Sequence, residues 1–238
     1  MAIDAIRDGI TRKADAVSLT VSGNYGRIVY TVGIDLWYTD DGNTLYVHQF
    51  MQSVTEMERG GKTLTVRQQT AYPESGRVKI TVTGGDTRVA VRIPGWYTEY
   101  RGETVKGYAY FDLRDGESLE FDFKMKPKLV EARAESVFDC GRYAVMRGPV
   151  VYCMEGHDNG ELLRDIRLDG RARFVYGKHE TLQVPKLTVK AYRRAQAENT
   201  PLYTERHDSL ETIQATLIPY YAFANRGESA MQVWHLVK

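Results

Sequence analysis

The sequence predicts an all-β protein: two consecutive antiparallel β-sandwich domains, preceded by a short N-terminal segment with helical spacing. Three observations carry this. Apolar and polar residues alternate with a period of two, in runs that recur about every ten residues from Leu45 onward. Clusters of Gly, Asn and Asp punctuate the runs, as hairpin turns require. The longest stretch of helix-like periodicity is short.

Taken in order, residues 1–16 place Ile3, Ile6 and Ile10 at spacings of three and four, compatible with a short helix interrupted at Gly9. Residues 25–38 are apolar enough for a buried helix or a strand pair, and periodicity alone does not choose between them. Leu45, Val47 and Gln49 then alternate with Tyr46, His48 and Phe50, giving a strand apolar on both faces. Leu64 and Val66 mark the next strand, and Val78, Ile80 and Val82 the one after. In 88–96, Val89, Val91 and Ile93 point to one face while Arg88, Ala90 and Arg92 point to the other. The run ends at Pro94, which cannot donate to a ladder, and Gly95, which permits the reversal before Trp96. Leu119, Phe121 and Phe123 face away from Glu120 and Asp122. The turns Asp40-Asp41-Gly42-Asn43, Arg59-Gly60-Gly61, Gly84-Gly85-Asp86 and Asp115-Gly116 all read as hairpins.

A break at Lys126-Pro127-Lys128 divides the chain. The expected bounds are 1–40 for the N-terminal segment, 41–130 for the first sandwich and 131–238 for the second. Beyond the break, residues around 129–134, 142–146 and 150–154 read as strands, and 158–201 is more polar and less regular. The chain closes on an apolar run, 215–223, and a final strand around 231–237.

Composition narrows the function classes. The 32 basic residues nearly balance the 31 acidic ones, so the chain lacks the basic footprint of a nucleic-acid binder. No apolar run approaches the roughly 20 residues that span a bilayer. The N-terminal residues carry charges throughout rather than the apolar core of a signal peptide. Two cysteines, Cys140 and Cys153, are too few for a disulfide framework. The expectation is a soluble cytoplasmic protein with reduced thiols and neither nucleic-acid nor membrane partners.

Local motifs offer little chemistry. Five histidines (His48, His157, His179, His207 and His235) are scattered without metal-ligand spacing, and the cysteines lack a C-x-x-C partner. No G-x-S-x-G elbow, phosphate-binding loop or G-x-G-x-x-G is present. Glu155-Gly156-His157-Asp158 has the residue types of a metal cluster, against which stands the reading of a polar loop after a strand. Carboxylates abound, but no spacing marks a glycosidase pair. Trp96, Tyr97 and Tyr100 form a candidate sugar-binding shelf, because the C–H faces of sugars pack on aromatic rings. The competing reading is that these aromatics are buried or lie at an interface. No metal and no catalytic residue is assigned to this chain.

Six segments in order carry a resemblance. They are L-Y-V-H-Q-F (45–50), T-A-Y-P-E-S-G-R-V (70–78), V-R-I-P-G-W (91–96), G-Y-A-Y (107–110), R-G-P-V-V-Y-C-M-E-G (147–156) and I-P-Y-Y-A-F-A-N-R-G (218–227). Together they resemble the C-terminal β-sandwich region of glycoside hydrolase family 127, the β-L-arabinofuranosidase-like proteins, over residues from about 24 to the end. The resemblance implies a preceding catalytic (α/α)6 barrel followed by two β-sandwich domains. It also implies that the barrel carries the chemistry: a glutamate acid/base and a zinc-bound cysteine nucleophile, closed by a Cys-Cys-Pro-Pro-Asn segment. The matching place here is Thr20-Val21-Ser22-Gly23-Asn24, which keeps only the asparagine. Cys153 falls in a sandwich strand, and a thiolate nucleophile needs its activating metal or base.

These readings imply no cofactor in this chain, the zinc belonging to the family's barrel. The expected role is a non-catalytic sandwich portion that packs against a barrel, supports oligomerisation or shapes the sugar-binding entrance. Expected partners are therefore the barrel or a second copy, with arabinose-containing glycans as ligands. A free-standing carbohydrate-binding module using exposed aromatics is the alternative, and an independent glycosidase with a new carboxylate pair a third. On the accessory reading, Ile3, Ile6, Ile28 and Val29 are partly exposed or buried by self-association.

Overall fold

The computed structural model describes residues 10–11, 17–23, 26–32, 38–194, 201, 203, 205 and 209–238, with side chains from residue 38 onward. Strands dominate, and the chain divides into two compact units, Met1–Met125 and Lys126–Lys238. Among the described residues no helix is long and apolar enough to cross a membrane.

The first unit has two main sheets. One contains β1 (Ile10–Thr11), β6 (Ser53–Arg59), β7 (Lys62–Thr70), β8 (Arg77–Thr83) and β11 (Ser118–Asp122), in that order. The other runs β10 (Tyr108–Leu113), β9 (Thr87–Arg92), β5 (Thr44–Val47) and β4 (Tyr38–Asp40). A separate hairpin pairs β2 (Val17–Gly23) with β3 (Gly26–Val32). Pairing is mostly antiparallel, with β1–β6 and β5–β9 parallel. The period-two residues make the core: Leu45, Val47, Val89, Val91 and Leu113 from one sheet cluster with Leu64, Val66, Val78, Ile80 and Val82 from the other.

Polar contacts also tie the two sheets of this unit. Tyr38 on β4 shares a hydrogen bond with Ser53 on β6 (2.8 Å) and accepts one from Gln68 on β7 (2.8 Å). Arg59 donates two bonds to Asp40 at 2.9 and 2.6 Å. These groups are buried or half-buried, so each satisfied donor avoids a desolvation cost of about 1–3 kcal/mol.

The four predicted turns divide into two kinds. Gly60 and Gly61 take positive φ (58° and 74°) and close the β6–β7 hairpin, and Asp40–Asn43 closes β4–β5. Gly84-Gly85-Asp86 and Asp115-Gly116 do not make hairpins. They carry the chain from one sheet to the other, β8 to β9 and β10 to β11. Turn residues report a reversal, and whether the next strand pairs with the last is decided by the core.

At the amino end, Ile10–Thr11 is a strand, where helical spacing was expected; the rest of the expected helix lies outside the described residues. Within 25–38, the strand-pair alternative holds for 26–32. The side chains of Ile3, Ile6, Ile28 and Val29 lie outside the described set. The division between units falls at 125/126, five residues before the expected 130/131. The reason is that β12 (Pro127–Glu131) pairs with β13 (Tyr143–Arg147) of the second unit.

In the second unit, one group of strands comprises β12, β13 and β14 (Val150–Glu155). The other comprises β15 (Ile166–Leu168), β16 (Val175–Lys178), β17 (Pro185–Arg194), β18 (Leu210–Pro219) and β20 (Leu236–Val237). The groups join where the end of β18 pairs with β14, Tyr152 with Pro219 and Cys153 with Ile218, so the sheet is hydrogen-bonded throughout. The short strand β19 (Met231–Gln232) adds to β14. Val145, Tyr152, Met154, Ile166, Leu168, Leu187, Val189, Ala191, Ala215 and Leu217 form its core. The stretch 158–201, expected to be more polar and less regular, holds the ten-residue β17.

Candidate functional site

Two constellations stand out, one in each unit. The first is a buried ionic clasp in the second unit. β14 ends at Glu155, whose side chain is fully buried, and a one-turn helix α1 (Gly156–Asn159) follows. The chain returns to this point 68–71 residues later with Arg226. Its guanidinium binds Asp158 at 2.6 and 2.7 Å and donates to the Glu155 carboxylate. Glu155 Oε1 also accepts from the backbone N–H of Ala224 at 2.8 Å. His179 Nε2 lies 3.1 Å from Asp158 Oδ1 and 3.2 Å from Arg226 Nη1.

Electrostatics favour the charged forms of Arg226 and Asp158. Hydrogen bonds donated to Asp158 above all, and then to Glu155, raise the Arg226 pKa against the opposing effect of burial. Burial pushes the Asp158 carboxyl up, but Arg226 and His179 outweigh it and hold the group below its usual 3.8. The guanidinium fills the position between the carboxylates that a cation would occupy. Among the described residues, no three His, Cys, Asp or Glu side chains are arranged to hold a metal ion. Beside the clasp, the buried Asn159 amide donates to the carbonyls of Glu155 (2.9 Å) and Thr216 (2.8 Å) and accepts from the Thr216 N–H (2.9 Å). The clasp therefore fastens the 220–230 loop to the sheet, rather than offering an acid and a base.

The second constellation covers the outer face of the β10-β9-β5-β4 sheet. Register places Thr39, Tyr46, Ala90 and Tyr110 in one row across the strands. Arg92 and Tyr108 form the next row, with His48 just beyond β5 beside them, and Thr44, Arg88 and Asp112 form the row on the other side. His48 Nδ1 is 2.7 Å from the Tyr108 hydroxyl and its Nε2 is 2.8 Å from Thr39 Oγ1. Arg88 and Arg92 lie 5.4 and 5.8 Å from the ring centres of Tyr110 and Tyr108. Tyr46 meets both of those rings edge-on. Burial, and then the charge of Arg92, pulls the His48 pKa below 6.5, so its ring is neutral at pH 7. Ala90 is fully buried although its Cβ faces outward, because large neighbours flank it in its row.

The aromatics singled out from sequence lie elsewhere. Trp96 and Tyr97 are partly buried against the first core, where both rings meet Phe123 and Trp96 donates to the Tyr72 hydroxyl at 3.3 Å. Tyr100 is half-buried. Cys140 is exposed and Cys153 fully buried, both free. Burial pushes the Cys153 thiol up to about 12, with Glu155 and Asp158 adding to the effect, so it is not a thiolate at neutral pH. His157 in the E-G-H-D run is exposed, and the more distant His179 joins the clasp in its place. His207 lies outside the described residues.

Comparison with known proteins identifies both units. Residues 44–123 match the middle domain of the GH127 β-L-arabinofuranosidases, and residues 127–236 match the glycoside hydrolase family 127 C-terminal domain. The chain is 32% identical to a non-reducing end β-L-arabinofuranosidase of Bifidobacterium longum subsp. longum, over 82% of this chain and 33% of that protein. It superposes on a GH127 β-L-arabinofuranosidase from Geobacillus stearothermophilus T6 with a TM-score of 0.78 and 30% identity, over 86% of this chain and 35% of that one. A further GH127 β-arabinofuranosidase structure gives 0.75 and 26%, over 85% and 36%. The chain thus spans about a third of the length of the relatives it matches. With both units matched in order, the chain belongs to glycoside hydrolase family 127 and comprises its middle and C-terminal domains.

Proposed function

We propose that this chain is the non-catalytic β-sandwich portion of a family 127 protein. It packs against a catalytic (α/α)6 barrel, steadies that protein's assembly and helps to shape the sugar entrance. The observation that carries the reading is the extent of the match: two whole domains in order, neither of them the barrel, within a third of the relatives' length. The chemistry of the thiols supports it. Cys153 is held as a neutral thiol in a strand core, unlike a metal-activated nucleophile. The zinc and the cysteine nucleophile are assigned to the barrel partner, and the relatives' arabinofuranoside chemistry is the setting in carbohydrate metabolism. Two free cysteines favour a reducing, cytoplasmic location.

The test is docking in trans. The isolated barrel of a family 127 enzyme is mixed with this chain and followed by sedimentation velocity and by activity. A stoichiometric complex with altered barrel activity or stability is expected. Failure of the two to associate at micromolar concentration, with both folded, would overturn the docking role.

A further inference from the structure

The tyrosine face of the first unit points to a ligand of its own. Its outward positions on β4, β5, β9 and β10 hold Thr39, Thr44, Tyr46, Arg88, Ala90, Arg92, Tyr108, Tyr110 and Asp112, with no large aliphatic side chain. Rings, hydroxyls and guanidinium groups make up this face, a set suited to packing on and hydrogen-bonding a polar ring ligand. The face offers half-buried aromatic rings bordered by fixed hydrogen-bonding groups. The His48–Tyr108 and Thr39–His48 bonds hold those groups in place before any ligand arrives.

Charge is uneven across the face. At one end Arg88 has Asp112 at 3.9 Å. At the other, Arg92 stands beside neutral His48 and the Tyr108 ring, with no carboxylate in ion-pair range among the described residues. Arg92 is exposed and its fork is suited to a carboxylate.

We propose that this face binds a glycan carrying carboxylate groups, such as a uronic-acid oligomer. The C–H faces of the sugar rings pack on Tyr46 and Tyr110, while sugar hydroxyls bond to the tyrosine hydroxyls and to Thr39, which His48 holds in place. A ligand carboxylate pairs with Arg92. This reading goes beyond the docking role and does not depend on it.

The experiment titrates the chain with oligogalacturonate and, separately, with its methyl ester, by calorimetry at low and raised salt. The acidic oligomer is expected to bind and to weaken as salt rises. Arg92→Gln weakens binding about tenfold and removes most of the salt dependence. Tyr46→Ala with Tyr110→Ala abolishes it, while Tyr110→Phe, which keeps the ring, retains most of the affinity. Thermal midpoints confirm that each variant is folded; Arg92→Gln, at an exposed position, keeps the fold in any case. Equal binding of acid and ester, binding indifferent to Arg92→Gln and to loss of the rings, or no binding at millimolar oligomer would overturn the proposal. So would loss of barrel docking on Arg92→Gln without glycan binding, which would make the face a protein interface.

Discussion

Buried and half-buried ionisable groups carry the electrostatic consequences in the second unit. His235 is fully buried, and neither ring nitrogen has a hydrogen-bond partner among the described residues. Burial, and then the charge of Arg142, pulls its pKa from 6.5 down to about 4. The unfolded chain therefore binds this proton more readily. Stability from the neutral ring is complete above about pH 6.5, falls as the pH drops toward about 4 and is level below, a loss of about 3 kcal/mol. Urea unfolding followed across that window should show the slope, and His235→Leu should flatten it; an unchanged slope would contradict the assignment. Asp158 acts lower, because its carboxyl is held below 3.8 and its contribution is lost only as the pH falls through that lower value. Arg226→Ala leaves Glu155 charged and buried, which costs about 3–5 kcal/mol. Adding Glu155→Gln should recover part of that loss in a double-mutant cycle, since it removes the stranded charge. None of this was legible in the sequence. Glu155 and Arg226 each sit inside a segment that resembles the family, but no spacing rule links residues 71 positions apart.

In the first unit, strand elements were readable where apolar and polar residues alternate. The alternating Val78, Ile80 and Val82, and Val89 and Val91, lie in the core as their period demands. β17 was missed because it opens with Pro185 and sets Lys186, Lys190 and Arg193 among its inward Leu187, Val189 and Ala191, so its mean character is polar. The turns were found as reversals, but not sorted into hairpins and sheet crossings. That difference has a measurable consequence. A Cβ on Gly61, at φ 74°, meets open space, so Gly61→Ala costs only the left-handed strain of about 1 kcal/mol. A Cβ on Gly84, at φ 104°, falls 2.1 Å from the Thr63 carbonyl oxygen, so Gly84→Ala adds a backbone clash and costs about 3 kcal/mol in all. Chemical denaturation of the two variants should rank them in that order; equal losses would show that the β8–β9 crossing is not packed against β7 as described.

At the scale of the whole chain, the two units have separate cores, and each matches its own family domain. Residues 126–238 expressed alone should therefore fold cooperatively, with a dispersed amide spectrum; a collapsed, poorly dispersed spectrum would contradict their independence. The sandwich class was visible from period and punctuation, and the family from six ordered segments. The tyrosine face was not, since its residues come from four strands and from a loop that only pairing brings together. The proposed function turns on whether these domains carry a hydrolytic centre of their own. The most direct test is release of the aglycone from a synthetic β-L-arabinofuranoside by the purified chain, at high concentration, with zinc and a reductant. The account predicts no release above background, before and after Cys140→Ser. Turnover lost on Cys140→Ser or Cys153→Ser would place a thiol nucleophile in this chain, and zinc-independent turnover surviving both would place a carboxylate site here; either contradicts the account.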